Sequence, residues 1–239
     1  MSNTTENVEV CEFCGRPLER YTVTFGGVER PVGWKGCHCE AATAARIAEM
    51  KAEQEQQRKA ELAALESRWR AAGIPERYIA QWDDRAHGMC DAVQLQGMGF
   101  YIDGTQGTGK TRLAASIAKE LIARSDAVKF RIAPALMEAM RSRSVENRES
   151  TDELAKCKVL VLDDLGKEAP TAYACERLFD IVNERYNAMR PIIVTSNYTR
   201  GEIAQKLTEG DVGRSIASRL CEMTRRVHID GPDRRLGNG

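Results

Sequence analysis

"FYIDGTQGTGKTRLAASIAKEL", from Phe100 to Leu121, decides the fold. Phe100–Asp103 is apolar and β-prone. Gly104-Thr105-Gln106-Gly107-Thr108-Gly109-Lys110-Thr111 then matches G-x-x-x-x-G-K-[ST] in full, and a helical pattern follows. Strand, glycine turn and helix form the context in which this pattern holds a triphosphate. The glycines let the backbone curl so that successive N–H groups face phosphate oxygens. The helix starting near Gly109 adds its positive N-terminal end. Lys110 is expected to reach the β- and γ-phosphates of ATP, and the Thr111 hydroxyl to ligate Mg²⁺.

Such a site needs a second apolar strand ending in a carboxylate. "KVLVLDDLG" (158–166) supplies it: Val159 to Leu162 read as a buried parallel strand. Asp163 at its tip is expected to hold the Mg²⁺ shell, and Asp164 to orient or deprotonate the attacking water. "RPIIVTSN" (190–197) is a third apolar strand, ending in Thr195, Ser196 and Asn197. Asn197 can position water there, or be a simple turn residue.

Working outward, strand-like runs occur at 99–103, 127–133, 158–163, 191–195 and 226–230. Helical patterns lie at 109–124, 134–143, 170–189, 199–207 and 213–223. The alternation predicts an α/β fold, a parallel sheet sandwiched between helices. A chain of 239 residues with 42% apolar content suffices for one good core plus a small appendage. Lys+Arg and Asp+Glu are both 35, so a strongly basic DNA-coating protein is excluded. No apolar run of about 18 residues suggests a membrane span. The polar start, "MSNTTENVEV", lacks the apolar stretch of a signal peptide, so a cytoplasmic protein is expected. No N-K-x-D guanine-reading motif and no L-S-G-G-Q-type signature is present.

Cysteine usage marks a separate N-terminal module. Cys11-x-x-Cys14 and Cys37-x-Cys39 offer four thiols, which suits the tetrahedral N/S preference of Zn²⁺. His38 is a rival ligand inside the second pair. Exposed thiols or a redox C-x-x-C are the alternatives, the latter without a strand-helix context. Cys90, Cys157, Cys175 and Cys221 read as small core residues. The domains expected are a zinc-binding module at 1–40, a connector helix at 41–73, stopped by Gly73-Ile74-Pro75, and an ATPase domain at 74–239.

"VLVLDDLGKEAPTAYACERLFDIVNERYNAMRPIIVTSNY" (159–198), with the phosphate loop and Ala217-Ser218-Arg219-Leu220, resembles the DnaC/DnaI-like (IstB-like) AAA+ replicative helicase loaders. The resemblance runs from about Gly73 to the end and implies an AAA+ core without a C-terminal lid. It assigns Arg219 as an arginine finger reaching the ATP of a neighbouring subunit, hence self-association through the ATP interface. Arg214 is one residue out of register with a second arginine of relatives. Many AAA+ ATPases carry Asp-Glu where this chain has Asp-Asp. The resemblance further implies zinc in the N-terminal module, a hexameric replicative DNA helicase as that module's partner, and single-stranded DNA on the AAA+ domain. Arg141, Arg143, Arg148 and Lys167 are the DNA candidates, against a plain solvated loop. An IstB-type transposition helper ATPase and a non-hydrolysing ATP-binding adaptor remain as alternatives.

Overall fold

The structure, a computed structural model, describes residues 9–141, 151–167, 171–207 and 210–233. The chain divides into two compact units, residues 1–63 and 64–239.

In the first unit β1 (Arg20–Phe25) and β2 (Val28–Trp34) form an antiparallel hairpin. Gly26 and Gly27 close it at φ 62° and 80°, the left-handed pair that a tight hairpin turn requires. A long helix, α1 (Glu40–Ala72), starts directly after the second cysteine pair. Its middle is exposed on every side, as its Glu/Gln/Lys/Ala content dictates.

The second unit is built on five parallel strands. β3 (Gly99–Asp103), β4 (Val128–Ile132), β5 (Val159–Leu165), β6 (Ile192–Ser196) and β7 (Thr224–His228) stand in the order β4-β5-β6-β3-β7. Side chains alternate across the sheet. Phe100, Ile102, Val159, Val161 and Ile193 enter one core. Tyr101, Leu160, Leu162, Ile192 and Val194 enter the other. Both faces being covered explains the unbroken apolar runs.

The first face is covered by α2 (Ala86–Gln96), by α3 (Lys110–Ala123) and by the end of α1, where Trp69 and Ala72 pack. The opposite face carries α4 (Ala133–Arg141), α5 (Thr151–Lys156), α6 (Ala172–Asn187), α7 (Arg200–Leu207) and α8 (Asp211–Met223). The chain thus leaves β3 toward one face and leaves β6, its neighbour, toward the other. Such a reversal opens a crevice at the carboxyl ends of the two strands.

Several boundaries differ from the sequence expectation. β7 begins at Thr224 rather than 226, because Arg225, Arg226 and His228 can occupy an edge strand whose outer side is solvated. α2 was not expected: it is short, and Gly88 lies inside it. Among the described residues no helix is long and apolar enough to cross a membrane.

Candidate functional site

The crevice at β3 and β6 is a cavity of about 570 Å³. Gln106, Gly107, Gly109, Lys110 and Thr111 of the phosphate loop form its floor. Asp164, Lys167 and Asn197 line it, as do Arg77, Tyr78 and Gln81.

The loop takes its shape from glycines. Gly104, Gly107 and Gly109 have φ of 139°, 75° and 97°. A Cβ on Gly104 would lie 1.9 Å from the carbonyl oxygen of Ile229, so no side chain fits there. Thr105 hydrogen-bonds Asp230 at 3.4 Å, and the buried Thr108 hydroxyl donates to the Thr105 carbonyl at 2.9 Å. Lys110 is buried and donates to the Gly104 and Thr105 carbonyls at 2.8 and 2.6 Å. A curled run of backbone N–H groups, a lysine and a helix N-terminus suit the phosphates of a nucleotide.

Asp163 and Asp164 are separated by a kink. The β5–β6 register shifts between Leu162 and Leu165, and Asp164 takes a left-handed φ of 62°. Asp163 therefore turns inward and Asp164 toward the cavity, the kind of re-aiming a bulge performs. Asp163 is 3% exposed and accepts a 2.6 Å hydrogen bond from the Thr195 hydroxyl. Thr195 also accepts from the Asp164 N–H at 2.9 Å, which fixes the kink. Burial pushes the Asp163 carboxyl up to about 6, and the Asp164 charge adds to this. The Thr195 and Thr111 hydroxyls oppose the rise. A buried carboxylate beside the Thr111 hydroxyl is a hard oxygen donor set of the kind Mg²⁺ takes. Asp164 pairs with Lys167 at 2.9 Å. Ser196 bridges β6 to the Leu165 carbonyl at 2.6 Å and accepts from the Tyr198 N–H at 3.0 Å, so Asn197 is held between two fixed neighbours.

Arg219 is not among the cavity-lining residues. Its Nε donates to Asn183 Oδ1 at 2.9 Å and its guanidinium lies 4.8 Å from the Phe179 ring centre. Arg214 is exposed and pairs with Asp211. Of the DNA candidates, Arg143 and Arg148 lie outside the described residues, as does the side chain of Arg141. Sequence reasoning missed Arg77, Tyr78 and Gln81. Their only signal was position, just beyond the Gly73-Ile74-Pro75 stop.

The four thiols of Cys11, Cys14, Cys37 and Cys39 come together, every Sγ within 4.8 Å of the others. Cys11 and Cys39 are 3.9 Å apart, and Cys14 and Cys37 are 3.6 Å apart. A tetrahedron of Zn–S bonds of about 2.3 Å has edges of about 3.8 Å, so the cluster fits zinc. Local backbone builds it. Gly15, at φ 68°, donates to the Cys11 carbonyl at 2.8 Å. Cys39 precedes α1 and accepts from the Ala42 N–H at 3.4 Å. Hydrogen bonds from Arg16, backbone first, then side chain, hold the Cys14 thiol down at about 6. His38 is exposed and does not belong to the cluster.

Comparison with known proteins agrees with this geometry. The IstB-like ATP binding protein family matches residues 49–238. The replicative helicase loader DnaI of Bacillus subtilis is 26% identical over 151 residues, 59% of this chain and 48% of that protein. The replicative helicase loader DnaC of Escherichia coli is 29% identical over 114 residues, 46% of each. An insertion-sequence ATP-binding protein of Geobacillus stearothermophilus is 30% identical over 135 residues, 56% of this chain and 53% of that one. The matches thus span about half the length of these relatives. A crystal structure of DnaI superposes with a TM-score of 0.58 at 27% identity, covering 68% of this chain and 95% of that one. The DnaC helicase loader shares the fold, with a TM-score of 0.52 at 23% identity over 65% of this chain and 99% of that one. The parallel sheet, flanking helices and phosphate loop form an AAA+ P-loop-like fold, and the chain belongs to the IstB-like ATP-binding protein family.

Proposed function

We propose that this protein is an ATP-hydrolysing loader of a replicative DNA helicase. The observation that carries the ATPase part is one cavity holding Lys110, Thr111, Asp164 and Asn197, with Asp163 buried behind it. Lys110 and the loop N–H groups bind the β- and γ-phosphates. Thr111 and Asp163 would hold magnesium, which when bound neutralises charge on the β- and γ-phosphoryl oxygens. Asp164 and Asn197 orient the attacking water. Arg219 acts on the ATP of a neighbouring copy. Its position away from its own cavity supports this reading, and so turnover is expected to need assembly.

The loader part rests on the likeness to DnaI and DnaC and on the four-cysteine unit, which would bind zinc and engage the helicase. Single-stranded DNA would be held by the second unit, with Lys167 as one contact. The 30% identity to an insertion-sequence protein supports a second reading, a helper ATPase for transposition. ATP turnover, measured alone, with single-stranded DNA, and with the replicative helicase or a transposase, tests these readings. Stimulation by helicase and DNA supports the loader. Stimulation by transposase alone supports the helper. No turnover under any condition leaves an adaptor that binds ATP without hydrolysing it.

A further inference from the structure

Lys119 is 3% exposed, inside the protein, and among the described residues no carboxylate pairs with it. Its Nζ instead donates to the carbonyls of Tyr78 at 2.9 Å, Ile79 at 3.0 Å and Gln81. The ammonium lies 5.2 Å from the Trp69 ring centre and 5.5 Å from that of Trp82. Trp69 in turn donates from Nε1 to the Lys119 carbonyl at 3.2 Å. Burial disfavours the charged amine and lowers its pKa. Packing alone would be served at lower cost by an apolar side chain of the same volume. A cation here has a more specific consequence: it fixes three carbonyls that otherwise have no common partner.

Those carbonyls belong to a segment that walls the cavity. Of the lining residues, the loop takes phosphates, and Asp164, Lys167 and Asn197 mark the γ-phosphate end. That leaves Arg77, Tyr78 and Gln81 for the nucleoside, beside Arg112 of α3, which donates to Asp83 at 3.2 Å. The segment is tied at three points. Arg70 grips Glu76 with two hydrogen bonds of 2.8 Å. Lys119 holds the middle. Ser116 accepts from the Asp83 N–H at 3.0 Å at the far end. Ser116 and Lys119 are on α3, the helix that also carries Lys110 and Thr111. One rigid rod, with a rise of about 1.5 Å per residue, thus sets the spacing between phosphate grip and nucleoside wall.

We propose that Lys119 is a positioning residue for nucleoside recognition, holding the wall of Arg77, Tyr78 and Gln81 in register with the phosphate loop. The proposal rests on the ATP-binding reading and deepens it. Lys119 itself does not line the cavity. It acts through the carbonyls it holds, so its removal separates the two halves of the ligand.

Calorimetry of the full chain with ATP and with inorganic tripolyphosphate, each with magnesium, provides the test. Wild type is expected to bind ATP more tightly, the excess being the nucleoside's share. Lys119→Met is expected to lose about ten- to a hundredfold in ATP affinity through misplacement of the wall, with tripolyphosphate binding unchanged. Lys119→Gln can pair at most two of the three carbonyls, and its ATP-to-tripolyphosphate ratio is expected to fall between the other two. An unchanged ratio in Lys119→Met overturns the proposal. So does a parallel loss of both ligands, the mark of a merely structural lysine. Should Lys119→Met not fold, Lys119→Gln decides by the same ratio, lowered in support or unchanged against. Wild type binding both ligands equally refutes the nucleoside wall while sparing the phosphate loop. Wild type binding neither removes the ATP reading itself.

Discussion

Asp163 turns into the protein and Asp164 into the cavity because the backbone kinks between them. The inward acid has a measurable thermodynamic signature. Its pKa in the fold, about 6, stands above the ordinary aspartate value of 3.8. A raised carboxyl pKa contributes stability below the unfolded value and loses it as pH rises through the folded one. Metal-free protein is therefore destabilised above about pH 6 by the charged carboxylate, by up to about 3 kcal/mol at 1.36 kcal/mol per unit. Asp163→Asn is expected to raise the thermal midpoint of metal-free protein near neutral pH. The gain should vanish near pH 4, and magnesium-dependent turnover should be lost. Calorimetric scans across that range check it; a gain independent of pH would place the cause elsewhere. The acids themselves were legible in the sequence because four β-prone apolar residues precede them. Their two roles were assigned there as well; what was not legible is the geometry that separates them, a backbone angle and the contacts of Thr195, a residue of another strand.

At the scale of elements, two segments invite separate tests. The cysteine cluster precedes and caps α1, in a unit whose hairpin is exposed along nearly its whole length. With so little core, metal would supply its stability. Cys14→Ser is expected to lose about one zinc per chain by the four-ligand rule. It should melt the first unit and leave ATP affinity unchanged, as elemental analysis and calorimetry would reveal. The end of α1 belongs to the second unit, where Arg68 donates to the Ile122 carbonyl at 2.6 Å and Trp69 packs on the core. A chain beginning at Ala64 is expected to unfold like the second unit of the full protein. One beginning at Gly73 should be less stable by about 2–4 kcal/mol, the scale of losing a packed aromatic and its hydrogen bond. Denaturant titration of both chains measures the difference. Equal midpoints would mean that Trp69 contributes nothing to the fold. The strands and long helices were readable because their periodicity is local. The 76–82 segment was not, because its anchor, Lys119, lies 38 to 41 residues away in sequence and sits on an otherwise ordinary helix pattern.

For the whole molecule the decisive question is whether one chain completes its own site. Lys110→Ala is expected to lose ATP binding. Arg219→Ala is expected to keep it and to lose turnover by about 10³–10⁵, the worth of an arginine supplied from a neighbour. Mixed under conditions where chains assemble, the two variants complement each other. An Arg219→Ala chain offers an intact phosphate loop, and a Lys110→Ala chain offers the arginine. Partial recovery of ATPase activity is the expected result. A mixture that co-assembles, as judged by light scattering, yet stays inactive would show that Arg219 does not act across an interface. Neither sequence nor fold made this legible beyond the resemblance, because a trans contact has no partner within a single chain. What the fold adds is that Arg219 is ordered by Asn183 and Phe179 before any neighbour arrives.

The left-handed backbone at Asp164 also bears on how this site could change over time. Aspartate and asparagine tolerate that conformation better than longer side chains do. The Asp-Glu pair of many AAA+ ATPases is therefore not one neutral step away. Asp164→Glu would lengthen the reach of the acid while straining the turn that aims it. A route to the longer acid runs through a less stable intermediate, or begins with a prior change that straightens β5. Side-chain length and backbone shape are inherited together here, as one trait rather than two.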